Sequence, residues 1–382
     1  MRISTRGQVD PFIVMDVLEA ARRLEAEGRR IIHMEIGQPG TPAPATARAA
    51  LGAALDSDPL GYSVALGLPA LREGIARLYA RRHGIALDPA RVIVTAGSSA
   101  GFVLAFLALF EAGARVALGR PGYPSYRNIL RALDLVPVEI ATGPATRFQP
   151  APADLQGADF AGLLVASPAN PTGSMLDRDA LAALADLCAA RGAVLISDEI
   201  YHGIQYDGRR AVTALEVSDS AVVINSFSKY FSMTGWRVGW MVVPPGLVRT
   251  IERLAQNLFI CPAHASQVAA LGALAGEAEC ESHVATYARN RALMLSALPR
   301  LGFARLAPCD GAFYIYADIS GMGTDSRSLA RAMLHEAGVA VTPGHDFDPM
   351  RGGDFLRFSF AIGTAEIEEG LERLSAFMAR RS

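Results

Sequence analysis

Of the 36 basic residues in this 382-residue chain, 35 are arginine and only Lys229 is lysine. Either residue serves as a soluble surface cation, so the arginine excess by itself needs no function. The retention of one lysine is a different matter. Arginine keeps its proton in a protein, whereas a desolvated lysine can lose it and attack a carbonyl as a neutral amine. Lys229 stands in Ser226-Phe227-Ser228-Lys229, ahead of Met233-Thr234-Gly235-Trp236-Arg237-Val238-Gly239. Ser226 and Ser228 can share one face by the two-residue period of a strand. Arg237 follows after a short loop and suits a bidentate contact with phosphate.

Three further motifs surround this one in the chain. The apolar run RVIVT leads into Ala96-Gly97-Ser98-Ser99-Ala100-Gly101. Small residues there would let the backbone approach a phosphate, and free N–H groups at a helix start favour an anion; an ordinary N-cap uses the same residue types. The run LLVASP ends in Ala169-Asn170-Pro171-Thr172-Gly173, whose dipeptides also mark a tight turn. The run AVLIS ends in Asp198-Glu199-Ile200-Tyr201. A carboxylate at the inner end of a buried strand is costly unless it pairs or accepts hydrogen bonds, with an N-cap role for Asp198 as the plainer alternative. Together the motifs supply an imine-forming amine, a phosphate cradle, a buried carboxylate and phenol or amide donors. An aldehyde cofactor with a pyridine ring and a phosphate needs that set.

The elements that must position these groups follow from hydrophobic patterning. From Arg91 onward, short apolar runs at 91–95, 115–118, 136–140, 162–166, 193–197, 221–225 and 238–243 alternate with mostly helical segments such as 100–110, 123–133 and 178–190. Near-continuous apolar strands separated by helices imply an α/β fold, a mostly parallel seven-stranded sheet covered on both faces. The shorter gap before the last run suits an antiparallel strand. The motifs fall at the carboxyl ends of the strands, where open α/β sheets bind ligands. Before this unit, one amphipathic helix is expected over about 12–27, a short strand around 31–36 and a helix over 45–55. After it, strands at 312–317 and 355–360 and a helix from about Thr364 form a smaller α+β region.

The formal net charge is −2 and 51% of residues are hydrophobic, the balance of a soluble globular protein. No basic block suggests nucleic acid, and no stretch is long and apolar enough to span a bilayer. The first residues lack the apolar core of a secretory signal. Cys188, Cys261, Cys280 and Cys309 are widely spaced, as expected of free thiols in a reducing cytoplasm.

In NPTG, SDEIY and SFSKxxxMTGWRxGW, met in this order, the chain resembles the class I/II aminotransferases, the fold type I pyridoxal phosphate enzymes, from about Gly37 to Arg357. The resemblance implies an N-terminal arm that joins the small domain (1–40), a large cofactor-binding domain (41–280) and a C-terminal small domain (281–382), with shared active sites in a homodimer. It implies that Lys229 forms the aldimine with pyridoxal 5'-phosphate and shuttles the proton once released. Asp198 is then the partner of the pyridine nitrogen, and Asn170 and Tyr201 hydrogen-bond the ring oxygen. Ser98, Ser99, Ser226, Ser228 and Arg237 form the phosphate cradle, Tyr62 reaches the phosphate of the neighbouring subunit, and Tyr123 stacks on the ring. Arg357 in FLRFSF clamps the substrate carboxylate, with Asn170 and the backbone of Gly37 beside it. The implied reaction moves an amino group between an L-amino acid and a 2-oxo acid, and a C–S β-lyase or other eliminating enzyme is the alternative on the same residues. The loop at Ser98-Ser99-Ala100 has no lysine, and 257–262 offers no arginine for a distal carboxylate, which favours a neutral aliphatic or aromatic donor, with Arg6 left as a candidate cation. His264 and His345 are read as structural. A transcription regulator built on this scaffold is not expected, because the match starts too near the N-terminus for a DNA-binding head.

Overall fold

The computed structural model describes residues 3–381. Helix α1, Ile13–Ala26, buries Val14, Leu18, Ala21 and Leu24 along one stripe, the helical spacing of an amphipathic segment. It is followed by α2 (Ala45–Ser57) and α3 (Pro69–His83). The chemistry-bearing motifs did not point to α3, whose sequence mixes arginine with alanine. It begins with a proline in its first turn and ends at Gly84, at φ 68°, the usual start and stop of a helix.

The central sheet comprises β1 (Val92–Thr95), β2 (Arg115–Arg120), β3 (Val136–Ala141), β4 (Gly162–Ala166), β5 (Val194–Asp198), β6 (Val222–Ser226) and β7 (Gly239–Val242). Its spatial order is β1-β7-β6-β5-β4-β2-β3. Strand β7 is antiparallel to both neighbours and the other pairings are parallel. The connection before β7, residues 227–238, is the shortest between strands of this sheet, and short connections favour an antiparallel return. Helices α4 (Gly97–Leu109), α5 (Pro124–Ala132) and α6 (Arg178–Arg191) fill three of the gaps. The gaps after β3 and β5 carry only short 3-10 turns. Two apolar clusters lie on the faces of the sheet, one around Phe102, Phe106 and Ile196, the other around Val94, Leu195 and Trp240.

Beyond the sheet run α7 (Pro245–Leu258), α8 (His264–Ala273) and the long α9 (Glu277–Ala297). The domain division expected at 280/281 falls inside α9. A second sheet, wholly antiparallel, contains β8 (Tyr314–Asp318) and β9 (Phe355–Ser359), flanked by the two-residue strands Arg305–Leu306 and Thr342–Pro343. The strand expected around 31–36 pairs only through Ile32–His33, parallel to Val339–Ala340. Helices α10 (Ser326–Ala332) and α11 (Thr364–Ala379) complete this region. No helix among the described residues is long and apolar enough to cross a membrane.

Candidate active site

A pocket of about 240 Å³ opens at the carboxyl ends of the parallel strands and is walled on its far side by β8, β9 and the start of α1. Ser98 and Ser99 enter it after β1, Tyr123 after β2, Asn170 after β4, Asp198 and Tyr201 at the end of β5, and Ser228 and Lys229 after β6. Arg237, Arg357 and Gly37 also line it. A wider groove of about 650 Å³ between α1 and α10 contains none of these residues.

Lys229 Nζ donates to the Gly37 carbonyl at 2.6 Å. Burial lowers its pKa to about 8, helped by the positive charges of Arg357 and Arg237 and opposed by Asp198. At neutral pH roughly a tenth of such an amine is neutral and nucleophilic. Gly37 must be glycine: a Cβ there would lie 2.0 Å from the Tyr314 hydroxyl oxygen.

Asp198 is buried, and burial pushes its pKa up to about 6, against the stabilising hydrogen bonds from Tyr126 and Ile200 and the charge of Lys229. One carboxylate oxygen accepts the Tyr126 O–H and the other the Ile200 N–H at 3.0 Å. A desolvated carboxylate fixed on two donors is suited to facing a cationic ring nitrogen. Tyr201 shares a hydrogen bond of 2.7 Å with the Tyr314 hydroxyl, and burial raises the pKa of both phenols, so they are neutral.

Gly97 sits at φ +78°, and a Cβ on it would meet Arg237 Nη2 at 2.4 Å. The guanidinium therefore lies flush over the start of α4, beside Ser98 and Ser99. Arg237 itself has φ 52°, a conformation that costs a side-chain-bearing residue roughly 1–2 kcal/mol, and such strain gathers at functional sites. Gly239 lets this loop pack down: its Cβ would touch Ser98 N at 3.1 Å. Ser226 is not among the lining residues. Its Oγ donates to the Val238 carbonyl at 3.0 Å and accepts from the Ser228 N–H at 3.1 Å, so in this geometry it shapes the loop that presents Ser228.

Arg357 is buried on β9 between two aromatic faces, 4.3 Å from the Tyr314 ring centre and 4.7 Å from that of Phe347. Its Nη1 donates to Asn170 Oδ1 at 2.9 Å and its Nη2 to the Glu35 carbonyl. Its Nε is buried with no partner, a donor that a carboxylate would satisfy.

Tyr62 lies outside the pocket and is 84% exposed. Arg6 is exposed and is not among the lining residues, and 257–262 does not contribute either. His264 bonds the Gly61 carbonyl and His345 the Ser326 hydroxyl; neither lines the pocket. No group of three or more His, Cys, Asp or Glu among the described residues could hold a metal ion.

Several lining residues carried no recognisable signal in the sequence: Phe12, Val14, Met15, Ile36, Tyr126 and Tyr314. Tyr126 had the best available clue, since it stands three residues after Tyr123 and three-apart residues share a helix face.

Residues 29–374 match the model of the family described as aminotransferase class I and II. The chain is 51% identical over 383 residues to a valine–pyruvate aminotransferase of Mycobacterium tuberculosis, covering 99% of this chain and 98% of that one. A solved aminotransferase from the same organism superposes with a TM-score of 0.97 at 49% identity, over 100% of both chains. An aspartate aminotransferase from Thermus thermophilus solved with maleate gives a TM-score of 0.93 at 31% identity, covering 99% of this chain and 100% of that one. With most of its motif residues gathered at one pocket and this extent of likeness, the chain belongs to the class I and II aminotransferases, fold type I enzymes that move an amino group between an amino acid and a 2-oxo acid.

Proposed function

We propose that this aminotransferase takes its amino group from a neutral amino acid with an aliphatic side chain and passes it to a small 2-oxo acid such as pyruvate, using pyridoxal 5'-phosphate held on Lys229. The observation that carries the reading is the charge distribution of the pocket. Its lining holds three cations, Lys229, Arg237 and Arg357. One is the amine, one lies over the phosphate-type helix start, and one is the clamp for the α-carboxylate, so none remains for a second carboxylate. The wall opposite is built by Phe12, Val14, Met15 and Ile36, against which an apolar side chain gains roughly 25 cal/mol per Å² buried. The likeness to a valine–pyruvate aminotransferase supports the same donor class.

The residues present fit the cofactor. The Gly97–Ser98–Ser99 turn under Arg237 is a phosphate cradle that a Cβ would fill, with Ser228 beside it. Bound there, pyridoxal phosphate supplies an aldehyde for the amine and a ring that accepts electrons. Asp198 keeps negative charge opposite the ring nitrogen, and Tyr201 and Asn170 donate to the ring oxygen. Tyr123 packs on the ring face, and Arg357 with the Gly37 backbone and Asn170 orients the substrate carboxylate. With its amine free, Lys229 would be placed to take a proton from the substrate Cα.

The same reading includes a homodimer. Tyr62, Val64, Leu258, Phe259 and Ile260 are exposed on segments tied together by Gln267, which bonds Ser63 and the Pro262 carbonyl, and a second copy would cover this face and bring Tyr62 to its neighbour's phosphate. The four cysteines are unpaired, which supports a cytoplasmic location. The 41–280 and 281–382 units act as the large and small domains, with 1–40 joining the latter.

The test is the visible absorbance of the purified holoenzyme as single amino acids are added without oxo acid. Conversion of the cofactor to its amine form by valine or alanine, and not by aspartate, is expected. Persistence of the original band while pyruvate and ammonia accumulate would mean an eliminating enzyme, and preference for aspartate would overturn the donor class.

A further inference from the structure

Tyr314 is buried on β8, between the two halves of the pocket, and three separate contacts converge on it. Its hydroxyl is 2.7 Å from the Tyr201 hydroxyl. Its ring face carries the Arg357 guanidinium at 4.3 Å. Gly37, whose carbonyl accepts from Lys229, comes so close that a Cβ would overlap the hydroxyl. A buried phenol is costly unless its O–H has a partner, and the bond with Tyr201 meets that need. Either hydroxyl can be the donor in that bond, but only one choice is compatible with Tyr201 donating to a cofactor oxygen. Each phenol has a single hydrogen. If Tyr201 spends its hydrogen on the ring oxygen, Tyr314 must be the donor to Tyr201.

We propose that Tyr314 is a positioning residue for both halves of the site: its O–H donates to the Tyr201 oxygen and so leaves the Tyr201 hydrogen for the cofactor's ring oxygen, while its ring holds Arg357 level for the substrate carboxylate. The inference rests on the reading of Tyr201 given above. The charged and titratable neighbours of the two phenols are Arg357 and Tyr123, with Lys229 Nζ 6.0 Å from the Tyr201 ring centre; none of them forms a hydrogen bond with the Tyr314 hydroxyl, and the close packing of Gly37 leaves it little room to turn elsewhere.

Three variants separate the claims: Tyr201→Phe, Tyr314→Phe and Tyr314→Leu, each as holoenzyme. Two readouts are used: the pH titration of the visible absorbance of the Lys229-bound cofactor, and the inhibition constant of 3-methylbutanoate, a carboxylate without an amine. Tyr201→Phe removes the direct bond to the ring oxygen, and the titration should move up by roughly one to two pH units. Tyr314→Phe keeps the ring and removes only the orienting hydrogen, so the titration should rise by roughly half to one unit with inhibition unchanged. Tyr314→Leu should show that shift and also weaken inhibition by roughly three- to thirty-fold, the range of a cation–ring contact. A merely structural Tyr314 would move thermal stability and leave the titration where it is. If Tyr201→Phe shifts the titration and Tyr314→Phe does not, the orienting role is wrong while the Tyr201 reading stands. No shift with Tyr201→Phe overturns both. Wild-type inhibition of Tyr314→Leu overturns the support of Arg357.

Discussion

His33 ties three parts of the molecule together, and its replacement by glutamine makes a quantitative test. Its Nδ1 lies 2.8 Å from Glu35 Oε1 and its Nε2 3.0 Å from Glu25 Oε1. Glu25 belongs to α1, while Glu35 is fully buried and its backbone carbonyl accepts from the Arg357 guanidinium. The hydrogen bond with Glu35 raises the His33 pKa from 6.5 to about 9, with the charges of both glutamates adding and partial burial opposing. A shift of that size corresponds to about 3 kcal/mol of linked stability. His33 and Glu25 are partly exposed, and solvent screening reduces the useful part to about 1–2 kcal/mol. The folded pKa is raised, so the contribution is fully present below the unfolded value near 6.5 and is lost as pH rises through about 9. Urea unfolding of wild type and His33→Gln at pH 6, 8 and 10 measures it. The variant should be less stable by about 1–2 kcal/mol at pH 6, and the gap should shrink to near zero by pH 10. A gap independent of pH would refute the ion-pair account and leave only packing. Because Glu35 also loses its partner, and its backbone holds Arg357, KM for the amino donor should rise in step with the stability loss.

Three other perturbations test different contacts. Asp346 is buried and accepts the Ile13 and Val14 N–H groups at 3.0 and 3.2 Å, capping α1 where Phe12 and Met15 wall the pocket. Asp346→Ala should cost about 1–2 kcal/mol, the worth of a helix cap, and raise hydrogen exchange at 13–16 more than elsewhere; uniform protection loss would argue against a local latch. Gly97→Ala places a methyl group against Arg237 Nη2 in a left-handed conformation, so cofactor affinity measured by fluorescence should fall by roughly ten-fold or more; unchanged affinity would remove Arg237 from the cradle. Lys229→Ala should abolish the covalently bound chromophore while leaving the fold intact by circular dichroism, and a wild-type visible spectrum would sink the assignment of Lys229.

Legibility from sequence followed the range of the interactions. Most of the seven strands announced themselves as apolar runs with both faces buried, as in Val92–Thr95 and Val222–Ser226, with ends marked by residues too polar or too small to continue; the edge strand Val136–Ala141, only half-buried and carrying Pro137 and Glu139, is the exception. The pocket residues recognisable by chemical type alone, a lone lysine or a carboxylate at a strand end, stood out for the same local reason. What stayed hidden was pairing across the chain. Tyr126 reads as one more core aromatic until the fold puts its O–H on Asp198, 72 positions away; Tyr314 lies 113 positions from Tyr201, and Asp346 332 from Val14. Local patterning carries no term for such distances. Ser226 shows the converse, since strand period alone would turn both serines of Ser226-Phe227-Ser228 toward a phosphate. The chain leaves β6 at Ser226 itself, and there the first serine's hydroxyl meets the Val238 carbonyl. Only the second then faces the pocket, because a buried hydroxyl takes the nearest acceptor and the period ends where the strand does.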